Sequence, residues 1–237
     1  MTGVGYHELV ITRDRRRHLA LLETWQIAEV IDAYQERYLF MMNKANIKYI
    51  QIFHNHGKEA GASVAHPHSQ IIAVPVIAPY VKSILEGSEN FYKQHRERVY
   101  SMMVEYEHEV GKRVVLENDD FMVFTPFASR AAFELWVVGK RPNAYFERIT
   151  EAEKFTCAEA LQKALQALFH GLENPAYNFY LYTAPASGVD YPHFQWHIQI
   201  LPKTSTWAGF ELSTGIEIST IQPEVAADYL RSKLAAH

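Results

Sequence analysis

The chain has 237 residues, a formal net charge of −4, 48% apolar and 21% charged residues, and one cysteine, Cys157. That balance suits a folded chain with no surplus of base for a nucleic-acid backbone, and a lone cysteine excludes both a disulfide framework and a paired-cysteine zinc site. With no apolar stretch long enough to cross a bilayer and no signal-peptide core at the start, the expectation is a cytoplasmic protein without nucleic-acid or membrane partners.

In chain order, residues 8–11 read as a strand. A helix is predicted over 23–43, from Ile27, Val30, Ile31, Tyr34, Tyr38 and Met41 at helical spacing. The basic run before it, Arg13 to Arg17, reads as local, and His18 after it as a surface residue. Strands follow over 47–53 and 66–74, flanking a glycine-bearing loop. Residues 76–111 join two halves, with a polar helix over 88–110 whose Tyr92, Tyr100, Met102, Met103 and Tyr106 read as packing. The second half predicts a hairpin, 112–117 and 121–124, turned at Asn118-Asp119-Asp120. A strand over 133–138, a helix over 151–169 with Cys157 in its core, and strands over 177–182 and 196–201 complete it.

The chain repeats itself. His68-Ser69-Gln70-Ile71 corresponds to His197-Ile198-Gln199-Ile200, and each strand soon meets a proline, Pro75 or Pro202. Nearly equal intervals separate Glu8 from His68 and Glu134 from His197. The expected fold is therefore α+β: two tandem β-α-β-β units over 1–110 and 111–237, each an antiparallel sheet with a packed helix. The first unit has too few residues before its first strand for the hairpin of the second, so it is expected to lack that N-terminal hairpin.

The richest chemistry lies in the run Asn55 to Gln70. Gly57, Gly61 and Ser63 bring backbone and hydroxyl donors suited to phosphate oxygens. On a strand, His66, His68 and Gln70 would share one face. A neutral histidine held in one tautomer can attack an activated phosphorus and carry the group covalently. His68 is the candidate nucleophile, with Pro67 fixing the backbone before it. Gln70 can donate to a phosphoryl oxygen but cannot act as acid or base. The competing reading, a metal cluster of His54, His56, His66 and His68, lacks a carboxylate or cysteine at ligand spacing. His193 and His197 read as packing as much as chemistry.

The string Asn55 to Gln70 resembles the signature of the galactose-1-phosphate uridylyltransferase family, a branch of the histidine-triad superfamily. Further likeness lies in Gly5-Tyr6-His7-Glu8, Phe133-Glu134-Leu135-Trp136, His193 to Lys203 and Gly209-Phe210-Glu211. The resemblance implies two histidine-triad-like units and a covalent nucleotidyl-His68 intermediate, steadied by Gln70. It implies that Asn55 and Ser63 hold phosphates and that Glu211 binds hexose hydroxyls. A nucleotide sugar would be donor, and a sugar phosphate or phosphate acceptor. It implies a homodimer too. Family members with structural zinc use a cysteine pair and the first histidine of the core motif. Only His66 remains here, so no bound metal or cofactor is expected, and His66 becomes an orienting residue. Phe210 to Gly215 and Tyr177 to Tyr180 look closer to the ADP-glucose phosphorylase branch. Uridylyl transfer, adenylyl transfer and a non-catalytic nucleotide-binding protein therefore all stay open.

Overall fold

A computed structural model describes residues 4–206 and 208–236. The first half supplies β1 (Tyr6–Ile11), α1 (Thr24–Met42), β2 (Tyr49–His56) and β3 (His68–Val74). Two connecting helices follow, α2 (Pro79–His95) and α3 (Val99–Val110). The second half supplies β4 (Val114–Glu117), β5 (Phe121–Phe124), β6 (Leu135–Gly139), α4 (Glu151–Gly171), β7 (Tyr177–Tyr182) and β8 (His197–Pro202). It ends with α5 (Gly209–Thr214) and α6 (Pro223–Ala235).

The strands form one eight-stranded antiparallel sheet, ordered β1-β3-β2-β7-β8-β6-β5-β4. The duplication is visible in that order, because β1-β3-β2 and β6-β8-β7 meet head to head where β2 pairs with β7. Phe53 faces Tyr180 at that seam. Phe53 also faces Gln70, and Tyr180 faces Gln199, so a pseudo-dyad runs through the Phe53–Tyr180 pair. The two His-x-Gln segments lie symmetrically about it.

Alternation gives the sheet two different faces. One is covered by α1 and α4, and Ile50, Ile52, Ile71, Leu135, Phe179 and Ile200 join their apolar sides in one core. Capping boxes start both helices, Glu23 with Gln26 and Thr150 with Glu153. On the other face, α2 and α3 cover the second half and reach Tyr49 of β2, burying Tyr49, Tyr100, Tyr182 and Phe194. The part of that face around His68, Gln70, Leu9 and Ile11 stays open.

The helix expected over 88–110 is two helices. Arg96 adopts φ 59° and Arg98 is extended, which turns the chain between them. Met102 and Tyr106, expected to pack, are exposed, whereas Tyr100 is buried. His18, expected at the surface, is buried, because the short turn Leu19–Leu21 docks on α4 and draws it in. The helix α6 had no sequence-based expectation; it starts at Pro223, a favoured first position.

Candidate active site

Pro67 has no N–H to give the ladder, so β3 starts at His68 rather than at His66. His66 therefore lies in the bend before the strand and does not share its face. Its Nε2–H donates to the Thr12 carbonyl at 2.6 Å, while the Thr12 N–H and hydroxyl both donate to the Pro67 carbonyl. His66 thus pins the chain beside His68 to the end of β1.

His68 and Gln70 do share the open face. The Nδ1 of His68 lies 2.8 Å from the His66 carbonyl, which can only accept. Nδ1 therefore carries the proton, and the Nε2 lone pair is left free. Gln70 Oε1 lies 2.9 Å from His7 Nε2. With His7 donating, the Gln70 amide NH2 has its hydrogens to offer. The sequence reading gave His7 no role; Gly5-Tyr6-His7-Glu8 was its only signal.

The glycine loop is held from the other half. Asn178 of β7 donates through Nδ2 to Asn55 Oδ1 and to the Ala60 carbonyl, both at 2.8 Å. Asn178 also went unread, although it sits in the Tyr177 to Tyr180 phrase. Gly57 adopts φ +81°, and a Cβ there would lie 2.6 Å from that of Ala176. Gly61 closes the loop's short turn at φ +84°. Beyond it, the backbone N–H groups of Ser63, Val64 and Ala65 have no acceptor among the described residues. Free amides in series on a turn are donors that an anionic oxygen can accept from.

Asn55, Gly57 and Ser63 line a cleft of about 680 Å³, backed by His18, His54 and His56. A second cleft of about 750 Å³ lies over β7 and β8, between Tyr80, Tyr180, Tyr182, Arg130 and Glu217, and Glu59 touches both. Glu211 lines neither; its carboxylate accepts from the Ala208 N–H and caps its own short helix.

The second half repeats the histidine geometry and closes it. His197 Nδ1 lies 3.0 Å from the Gln195 carbonyl, two residues back as in His68. Its ring is buried among Tyr100, Trp136, Tyr182 and Phe194, and burial pushes its pKa down to about 4. Gln199 donates to Glu134 at 2.6 Å. Gln70 faces Leu9 and Gln199 faces Trp136, so His7, not Glu8, is the counterpart of Glu134. Glu8 points the other way, into a two-pronged ion pair with Arg37 of α1 at 2.6 and 2.9 Å.

The zinc that the resemblance attaches to the first motif histidine does not fit these residues. His66 Nε2 is spent on a backbone carbonyl. Among the described residues, no three His, Cys, Asp or Glu side chains gather around a possible metal position.

Fold and site together define a duplicated α+β chain with one open and one sealed His-x-Gln strand. Its relatives are nucleotidyl-transferring enzymes of sugar nucleotides. It is 30% identical to the ADP-glucose phosphorylase of Arabidopsis thaliana over 98% of this chain, and spans 65% of that relative's length. It is 29% identical to the galactose-1-phosphate uridylyltransferase of Thermotoga maritima, covering 96% of this chain and 74% of that one. The crystal structure of the Arabidopsis thaliana ADP-glucose phosphorylase with bound ADP-glucose superposes with a TM-score of 0.90 at 30% identity. That match covers 97% of this chain and 74% of that one. A model of the domain of unknown function DUF4921 matches residues 21–237, and the chain belongs to that family.

Proposed function

We propose that this protein is a nucleotidyltransferase that moves a nucleoside monophosphate from a nucleotide sugar to a sugar phosphate or phosphate through nucleotidyl-His68. The observation that carries the reading is the His68 tautomer. With Nδ1–H committed to the His66 carbonyl, Nε2 presents its lone pair on the open face beside Gln70. Nε2 attacks the α-phosphorus, the bond to the bridging oxygen breaks, and the sugar 1-phosphate departs with that electron pair. An oxygen of the acceptor phosphate then attacks the same phosphorus and His68 leaves, restored. The Gln70 amide and the free loop amides offset charge on the phosphoryl oxygens.

The donor in this reading is UDP-glucose and the acceptor a hexose 1-phosphate. A second reading, adenylyl transfer, is favoured by the phosphorylase relative at 30% identity. No metal enters either scheme, and His66 acts by positioning. A homodimer belongs to the proposal: Leu9 and Ile11 are 50% and 57% exposed on the open face of the edge strand β1, apolar surface that a second copy would cover. No helix among the described residues is long and apolar enough to cross a membrane.

Intact-mass spectrometry after brief incubation with UDP-glucose, and separately with ADP-glucose, tests the proposal and chooses the base. A uridylyl or adenylyl adduct mapped to His68, and absent from His68→Gly, is the expected result. Folded protein that takes no adduct from either donor would overturn it.

A further inference from the structure

Alternation turns Ser69 away from its neighbours His68 and Gln70, to the sheet face covered by α1, where it is buried. The buried Tyr34 of α1 meets it there, phenol to hydroxyl. Ser69 Oγ also lies 3.1 Å from Nδ1 of His54, its buried cross-strand partner on β2. A helix and two strands thus bring three polar side chains together inside a core built of Ile31, Ile52, Ile71 and Phe179.

The hydrogen on His54 follows from its partners. The backbone carbonyl of His68, which can only accept, takes a hydrogen bond from this ring, and Nε2 has no partner. Nδ1 therefore carries the hydrogen, shared between the His68 carbonyl and Ser69 Oγ. Burial holds the pKa of His54 down to about 3, so the ring stays neutral and keeps that single hydrogen at ordinary pH. Phe179 stacks on it with ring centroids 5.2 Å apart and sets its plane.

The carbonyl and the hydroxyl belong to the two residues joined by one peptide bond, His68 to Ser69. Holding both from the core fixes the rotation of that peptide, and with it the direction in which the His68 side chain leaves the backbone. From the open face, the His66 carbonyl at 2.8 Å holds Nδ1 of the His68 ring itself. The two restraints together aim Nε2.

The second half builds the same layers with none of the three. Ser69 corresponds to Ile198, between His197 and Gln199, and His54 across from it corresponds to Leu181, across from Ile198. Tyr34 stands as far beyond the N-cap Glu23 of α1 as Leu161 stands beyond the N-cap Thr150 of α4. Leu161, Leu181 and Ile198 are all buried in the shared core. The fold therefore asks only for apolar side chains at these places, and of the two halves the polar set stands behind the histidine that is open.

We propose that Tyr34, Ser69 and His54 are positioning residues, which clamp the His68–Ser69 peptide from the core side and hold His68 Nε2 in line for attack. The inference rests on the nucleotidyl-transfer reading for its kinetic arm and on geometry alone for its spectroscopic one.

The kinetic arm measures the rate of nucleotidyl-His68 formation by rapid-quench mass spectrometry, with whichever of UDP-glucose and ADP-glucose modifies the parent. Ser69→Ala, Tyr34→Phe and His54→Leu should each lower the maximal rate about tenfold, within the loss a misplaced reacting group causes, at an unchanged half-saturating donor concentration. His54→Asn, which keeps an N–H near the place of Nδ1, should recover part of the rate. The triple variant strands no polar side chain, so urea unfolding should find it at least as stable as His54→Leu, yet it should be as slow as the slowest single variant. The spectroscopic arm follows the ¹⁵N signals of His68 without substrate. In the parent Nδ1 should read as protonated and Nε2 as bare; in Ser69→Ala and His54→Leu both should move toward the average of the two tautomers. Variant rates equal to the parent's, a loss seen only as weaker donor binding, or a triple variant whose rate recovers with its stability would overturn the clamp. So would His68 nitrogens that do not move. If the parent takes no adduct, the transfer reading falls, and the nitrogen signals still decide the clamp.

Discussion

At the scale of single residues, hydrogen-bond polarity separates the two halves. Gln70 accepts from His7, whereas Gln199 donates to Glu134, so only the first glutamine has its NH2 to spend on a ligand. His7→Phe should therefore lower nucleotidyl transfer about tenfold, the worth of one lost hydrogen bond of about 1.4 kcal/mol. His7→Asn, which keeps a donor, should recover part of it; equal activity in all three proteins would remove His7 from the site. Gln70→His should shift the balance from transfer toward hydrolysis, read as free nucleoside monophosphate per turnover. The buried histidines make a different prediction. His54, His18 and His197 have pKa values lowered to about 3, 4 and 4, chiefly by burial. Below their unfolded value of about 6.5 the unfolded chain takes up protons that the folded chain refuses. Stability should thus be complete above pH 6.5 and fall as pH drops toward 4. His197→Phe keeps the stack on Trp136 and should remove about 1.4 kcal/mol per pH unit of that slope, measured by urea unfolding at several pH values. Strand alternation in the sequence put His68 and Gln70 on one face, and the structure has them so; Asn55 and Ser63 line one cleft together. Sequence alone could not show that His7 and Asn178 serve them, because cross-strand partners depend on register, and a one-residue slip exchanged His7 for Glu8.

At the scale of elements, the glycine loop is where backbone conformation matters most. Both Gly57 and Gly61 have φ above +80°, but their surroundings differ. Gly61→Ala meets nothing within 4 Å and should cost only the left-handed penalty, about 1–2 kcal/mol. Gly57→Ala adds a Cβ 2.6 Å from that of Ala176 and should cost clearly more, with weaker nucleotide binding as well. Thermal unfolding and a binding titration of the two variants, side by side, check this; equal losses would contradict it. The strands and the helices α1 and α4 could be read from the sequence, since β1 and β3 alternate, β5, β7 and β8 are short β-rich runs, and α1 and α4 repeat their apolar side. What periodicity missed was punctuation. Pro67 delays β3, and Arg96 breaks a helix through a left-handed turn that arginine does not advertise.

At the scale of the whole molecule, the two units are one sheet and share one core. Ile52 and Ile71 of the first half pack in the same cluster as Leu165, Phe179 and Ile198 of the second. Unfolding should accordingly be a single transition, with far-UV circular dichroism and the fluorescence of Trp136 and Trp196 changing together. Two separated transitions would mean that the halves hold themselves up independently. The duplication could be read from His-x-Gln, but the seam could not, because the β2–β7 pairing joins segments with no sequence signal for each other.

The hold of Asn178 and Ala176 on the glycine loop gives the sealed half a different significance. After a duplication, a copy whose histidine is shut away would be free to decay if it did nothing else. Here its strand holds the glycine loop of the first copy in shape. Drift should be tolerated around His197 as long as the pocket stays filled, while any change at Ala176 or Asn178 is felt across the seam.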